Sequence, residues 1–190
     1  MELKDIPHKT SFRDIQYPRL EFRTGELVLV LPKGEDPEEI LRRHKKWVAD
    51  KIKRIEECRE AAKTKALVQR DDQDFQGLVL QYIDKNSQEV TVKINKVIFR
   101  TLKTKWASIS PKKNLSFNTM MSFLPDHLIE YIVFHEIAHL KYKHHNADFW
   151  KMISRRFKNY QDMEEDLFVY WFKRVLSVSM RSQKIISQSR

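Results

Sequence analysis

The stretch FHEIAHLKYKHHNADFW, Phe134–Trp150, holds four of the seven histidines of the chain and a glutamate directly after the first of them. On an α-helix, residues four apart share a face, so His135 and His139 would direct two imidazoles at one point. Two such nitrogens suit a zinc ion, whose nitrogen ligands lie at about 2.0–2.1 Å. Glu136 is turned away from that point but stays within reach of a water there. The spacing predicts an H-E-x-x-H zinc site, one ion per chain, with Glu136 as general base.

The residues around this motif favour a metal site over a basic helix that is merely rich in histidine. Ile132, Val133, Ile137 and Leu140 make the segment strongly apolar. Polar histidines in such a helix need a partner, because burying them unpaired costs free energy. We therefore expect a buried helix that begins near Pro125-Asp126 and carries the motif.

A third ligand cannot come from the same helix. If the helix continued, residue 145 would lie roughly 9 Å beyond His139, at 1.5 Å of rise per residue. The chain must therefore turn after about Tyr142. Asn146 is a good N-cap for a following helix at Ala147–Lys158, which places His145 on the loop just before that cap.

Two kinds of residue compete to complete the site. A catalytic zinc usually has three protein ligands and one open position. His145 can fold back to the metal from its loop, whereas His144 would point away. Glu164 or Glu165 on the next helix is the alternative, and the spacing favours His145.

The N-terminal part reads as strands followed by a long helix. Two strands, around Leu20–Phe22 and Leu27–Pro32, flank a tight turn at Thr24-Gly25. Asp36 and Pro37 are typical of a helix start, and apolar spacing predicts a helix over roughly Pro37–Val68.

The remaining elements combine helices with short strands. Arg70–Asp72 should interrupt the long helix, and a helix through Phe75–Ile83 should close at Asn86-Ser87. Further expected elements are strands at Val90–Ile94 and Val97–Phe99, a hairpin of Trp106–Ser110 with Leu115–Asn118, and a last helix at about Glu164–Val175. The pattern predicts an N-terminal lobe over residues 1–70, a metal-binding domain over 71–176, and a mobile basic tail over 177–190.

Composition sets the class of protein and leaves a second function open. The 190 residues include one cysteine, which rules out an internal disulfide and fits a cytoplasmic location, and no stretch is long and apolar enough to cross a membrane. The formal charge is +10, with seven Lys or Arg and no acid between Lys93 and Lys113. These residues are either a solvated basic surface or a patch for nucleic acid. The alternative function is therefore a zinc-stabilised, basic nucleic-acid-binding module with little or no proteolysis.

The region Trp106–Trp150 resembles the YgjP-like metallopeptidases, small relatives of the SprT-like zinc proteases. The segments that carry the resemblance are WASIS, LSFN, YIVFHEIAHL and HHNADFW. The N-terminal hairpin, LPKG and the helix with Trp47 are also similar to the N-terminal lobe of that family.

The resemblance implies a zincin-like α+β fold and a zinc-dependent peptidase that acts on a peptide or protein substrate. His135, His139 and His145 match the family's three histidine ligands, and Glu136 matches its base. Ala107 and Ile109 stand where the family has glycine and cysteine, which should alter substrate shape but not metal binding.

Overall fold

The chain was analysed as a computed structural model that describes residues 8–23 and 26–188, with the backbone alone for Arg23 and for residues 175–188. It divides into two compact units. One comprises the residues before Lys65 together with those after Arg174, and the other is Lys65–Arg174. In the described residues, no helix is both long enough and apolar enough to cross a membrane.

A three-stranded sheet forms the first unit with its helices. The strands are β1 (His8–Arg13), β2 (Arg19–Arg23) and β3 (Glu26–Pro32), in the order β1-β3-β2. The antiparallel pairing of β2 with β3 confirms the predicted hairpin, although its turn residues lie outside the described range. β1, which no pattern indicated, pairs parallel with β3.

The long helix predicted over Pro37–Val68 is wrong in two respects. It is divided into α1 (Pro37–Arg43) and α2 (Lys45–Thr64), and it ends before Val68. The predicted cap is confirmed, since the side chain of Asp36 accepts a hydrogen bond from the Glu38 amide at 3.0 Å. The break at His44 falls in the basic run Arg42–Lys46, and cations are favourable at a helix C-terminus.

In the second unit, a three-stranded sheet and several helices pack around a central helix. Strands β4 (Lys96–Arg100), β5 (Ala107–Ile109) and β6 (Asn114–Asn118) have the order β4-β6-β5, so β5 is an edge strand. β5 and β6 form the predicted hairpin, with Ala107 opposite Phe117. The helices are α3 (Asp72–Val90), a 3-10 turn (Thr119–Phe123), α4 (Asp126–Ala138), α5 (Ala147–Arg156) and α6 (Tyr160–Gln188), of which the residues up to Arg174 belong to this unit.

Three predictions for the elements from α3 onward are wrong. Helix α3 does not close at Asn86-Ser87, and no strand forms over Val90–Ile94. The buried face of α3 continues at helical spacing through Val79, Ile83, Asn86 and Val90, so packing extends the helix to Thr91, which adopts a left-handed conformation. Helix α6 continues to Gln188, well beyond the predicted end near Val175.

Helix α4 is largely buried, and only Asp126 and His127 in its first turn are exposed. It contacts α3, α5 and β5. Its N-terminus is held by Arg70, whose guanidinium donates to the carbonyl of Ser122 at 2.8 Å and that of Leu124 at 3.1 Å and pairs with Asp126. The metal motif therefore lies on a helix that tertiary packing and Arg70 hold in place.

Candidate metal centre

Three histidines converge at the C-terminal end of α4. The ligand nitrogens of His135, His139 and His145 all lie within 4.8 Å of one another. The Nε2 atoms of His135 and His145 are 3.0 Å apart. Two nitrogens bound to one tetrahedral zinc would be separated by about 3.3 Å, so this spacing fits such an ion. Three imidazoles with one open side are a common donor set for catalytic zinc.

The end of α4 accounts for the turn that brings His145 back. The last helical residue is Ala138, and the amides of Lys141 and Tyr142 both bond to its carbonyl, at 3.0 and 2.9 Å. This closes the helix a few residues before the predicted turn. The side chain of Asn146 then accepts a hydrogen bond from the Phe149 amide at 2.9 Å, which confirms the predicted cap of α5.

A polar atom lies near the second ring nitrogen of two of these histidines. Nδ1 of His139 lies 3.1 Å from the carbonyl oxygen of Tyr142. Nδ1 of His135 lies 3.7 Å from a carboxylate oxygen of Glu164. A proton on each Nδ1 leaves each Nε2 with a free lone pair, which is the form that binds a metal.

Glu164, one of the two glutamates considered as a third ligand, thus lies behind His135. Its carboxylate accepts a hydrogen bond from the hydroxyl of Tyr131, which is one helical turn before His135. Burial and this bond raise the pKa of Tyr131, so its hydroxyl stays a donor. Neither Glu164 nor Glu165 is in the metal-competent group of the described residues. Tyr131 was not predicted as a site residue, although its position four residues before His135 places it on the same face of the helix.

Aromatic side chains form the wall behind the histidines. The ring of His139 stacks on fully buried Phe149, with centroids 4.7 Å apart. His145 packs against Trp150 at 5.4 Å, and Trp150 in turn stacks on Tyr160 at 5.1 Å. Phe149 and Trp150 therefore restrain the loop that carries His145. His144 is exposed and lies outside the group.

Burial keeps the inner histidines neutral. Burial, followed by the neighbouring His139 and His145, lowers the pKa of His135 to about 3. Burial also lowers the pKa of His139. Neutral imidazole is the species that coordinates a metal, so no proton must first be removed at neutral pH.

Glu136 lies between the histidines and the edge strand β5. Burial raises the pKa of Glu136 to about 7, while the charge of Lys105 and a hydrogen bond from the backbone of Ile109 act in the opposite direction. A carboxylate whose pKa is near neutrality can both accept and release a proton at physiological pH. The arrangement can therefore supply proton transfer next to a metal.

The three histidines, Glu136 and the adjacent edge strand together form a candidate catalytic metal site. The YgjP-like metallopeptidase domain matches residues 72–169, a little more than half of the 190-residue chain. The chain belongs to the YgjP-like metallopeptidase family. The match confirms the resemblance over the second unit. The likeness of the N-terminal hairpin and helices to this family stays a prediction.

Two solved structures are similar to part of the chain, and both are metallopeptidase zymogens. Abylysin of Pyrococcus abyssi is 22% identical, with a TM-score of 0.44, over 47% of this chain and 90% of its own. Jannalysin of Methanocaldococcus jannaschii is 25% identical, with a TM-score of 0.42, over 47% and 90% of the respective chains. No curated protein sequence matches the chain.

Proposed function

We propose that this metallopeptidase is zinc-dependent and hydrolyses peptide bonds with Glu136 as general base. The observation that carries the proposal is the convergence of three histidine rings beside Glu136. His135, His139 and His145 would each bind the ion through Nε2. Zinc, when bound, supplies a Lewis acid that lowers the pKa of water toward neutrality and polarises the scissile carbonyl.

Glu136 carries the proton transfers of the reaction. Its carboxylate would accept a proton from the attacking water and donate it to the leaving amine as the carbon–nitrogen bond breaks. Burial supports this role, because it brings the pKa of Glu136 to about 7, where both transfers are favourable.

Strand β5 would hold the substrate in an extended form. The amide of Asn118 bonds to the carbonyl of Trp106, and the amide of Ser110 to the carbonyl of Asn114. In an antiparallel pair the bonded residues alternate, so the backbone groups of Ala107 and Ile109 point away from β6. The outward amide of Ile109 already bonds to Glu136, so a peptide can add as a further strand through the backbone groups of Ala107 and the carbonyl of Ile109.

The test compares the metal content and hydrolysis of two variants. Wild-type protein should contain about one zinc per chain and cleave members of a quenched-fluorescence peptide library. Glu136→Gln should retain zinc but lose hydrolysis by at least about two orders of magnitude, because a general base contributes that much. Asp84→Asn, which neutralises an exposed carboxylate on α3, is the matched control and should leave both unchanged. Equal hydrolysis by Glu136→Gln and wild type would exclude Glu136 as the base.

A further inference from the structure

Seven cationic side chains cluster in the segment that surrounds β5, and all are exposed. None of them forms an ion pair with any residue that the structure describes. They are Lys93, Lys96, Arg100, Lys103, Lys105, Lys112 and Lys113. Some cations elsewhere in the same unit are paired, as Lys85 is with Glu130 at 3.2 Å and Lys65 with Asp166 at 2.5 Å. The charge of this segment is therefore available to a ligand.

Four of these cations stand in pairs at the two ends of β5. Lys103 and Lys105 precede the strand, and Lys112 and Lys113 follow it. The first pair lies on a loop that buried Asn118 holds through its side-chain amide, which donates to the carbonyls of Leu102 at 2.8 Å and Lys105 at 2.9 Å.

The second pair lies in the tight turn between β5 and β6. The amide of Lys113 bonds to the carbonyl of Ser110 at 2.8 Å, and the amide of Asn114 bonds to the Ser110 hydroxyl at 3.1 Å. The backbone that carries each pair is thus fixed by hydrogen bonds relative to the strand. Residues of a bound peptide that lie near either end of β5 would therefore experience a positive electrostatic potential from these lysines.

This charged edge also lies next to the catalytic carboxylate. Helix α4 contacts β5. The backbone of Ile109 bonds to Glu136, and the positive charge of Lys105 acts on the same carboxylate. A peptide that lies along β5 would therefore have its scissile bond near Glu136 and its flanking side chains near the two lysine pairs.

We propose that the preferred substrate is an extended peptide with acidic side chains on both sides of the scissile bond, recognised by Lys103 and Lys105 at one end of β5 and by Lys112 and Lys113 at the other. This inference rests on the proposed function, and it names the substrate class of the same site. Exposed charges at the edge of a binding site contribute mainly specificity and a faster rate of association.

Two observations favour an acidic peptide over nucleic acid as the occupant. The lysine pairs flank the outward backbone groups of Ala107 and the outward carbonyl of Ile109, which fit the hydrogen-bonding pattern of a peptide strand. The aromatic rings of the segment are also used internally rather than offered for base stacking. Trp106 packs on Trp171 with centroids 5.0 Å apart, and Phe99 packs on Phe75 at 5.7 Å.

The experiment measures binding separately from cleavage. Zinc-loaded Glu136→Gln protein is titrated by fluorescence anisotropy with three labelled ten-residue peptides. They share an uncharged centre and carry Glu, Gln or Lys on both flanks. The Glu-flanked peptide should bind about tenfold more tightly than the Gln-flanked one at low salt, because each exposed ion pair contributes a few-fold at most. This preference should shrink as salt is raised.

Charge reversals then locate the preference. In the Glu136→Gln background, K103E/K105E and K112E/K113E should each weaken binding of the Glu-flanked peptide about five- to tenfold and leave the Gln-flanked peptide unaffected. The control K151E/K158E makes the same change of net charge at two exposed lysines elsewhere in the unit and should have little effect. Circular dichroism checks that each variant remains folded.

The possible results separate this proposal from the proposed function. Equal binding of the three peptides, or an equal loss in the control variant, would overturn the substrate class. Tighter binding of a single-stranded 20-mer oligonucleotide than of the Glu-flanked peptide, lost in both β5 variants, would replace it with nucleic acid. If the Glu-flanked peptide binds as expected but wild-type zinc-loaded protein leaves it intact, recognition stands and the hydrolytic function fails.

Discussion

The candidate metal centre is built from two regions of opposite character. Helix α4, which carries His135 and Glu136, is largely buried beyond its first turn, and Ile137 is fully buried in it. The loop that carries His145 is exposed from Lys143 to Asn146. The first region needs no ligand to keep its shape, because apolar packing fixes it. The loop is held by the Asn146 cap, by the rings of Phe149 and Trp150 and, as we propose, by the metal.

The largest effect is expected from a cavity in the first region. Ile137→Ala should lower the free energy of unfolding by about 2–5 kcal/mol, because it removes fully buried methyl groups from a close-packed core. Urea denaturation of the metal-free protein measures this change. Lys143→Ala on the exposed loop is the contrasting control and should cost less than about 0.5 kcal/mol. A comparable loss in both variants would show that the two regions do not differ as described.

The next effect separates the two adjacent histidines of the loop. His145→Ala should weaken zinc binding by about a hundredfold or more while leaving metal-free stability almost unchanged, because it removes one of three ligands but no core contact of α4. Zinc titration against a competing chelator measures it. The matched control, His144→Ala, should bind zinc like wild type. Reversed behaviour of the two variants would assign the third ligand to His144.

A smaller effect should come from the carboxylate behind His135. Glu164→Gln should weaken zinc binding by about 10–100-fold, because residues that orient a ligand histidine have effects of this size. Glu164→Asp retains the charge and should recover part of the affinity. A structural role alone would lower the unfolding free energy of metal-free protein without this recovery of zinc affinity. If Glu164→Gln abolished zinc binding altogether, Glu164 would instead be a ligand.

The smallest effect should come from the cap that ends the loop. Asn146→Ala should cost about 1 kcal/mol of stability, because the Phe149 amide loses its hydrogen-bond acceptor. Zinc binding should pull the loop back into place, so the loss should be smaller in the zinc-loaded protein. Thermal unfolding with and without zinc measures the difference. An equal loss in both forms would mean that the cap and the metal act independently.

Local signals predicted much of this structure. Caps at Asp36 and Asn146, the β5–β6 hairpin and the apolar helix α4 each depend on residues within a few positions of one another. The convergence of His135, His139 and His145 also followed from local geometry, since the rise of a helix forced a turn before His145.

The features that were not predicted correctly share a physical origin, which is contact between residues far apart in the sequence. The parallel pairing of β1 with β3 and the proximity of Glu164 to Tyr131 join residues that no short window contains together. The extension of α3 to Val90 came from tertiary packing, which buries Asn86 and Val90 on the same face as Ile83. The break at His44 lies in a charged run where the apolar spacing carries no information.

The central claim is that three histidines hold a zinc ion beside Glu136. A crystal structure of zinc-loaded protein, with anomalous diffraction recorded on both sides of the zinc absorption edge, tests it most directly. We expect one anomalous peak about 2.0–2.1 Å from Nε2 of His135, His139 and His145, with Glu136 uncoordinated. A peak bound by a carboxylate oxygen of Glu164 or Glu136, or no peak at the three histidines, would contradict it.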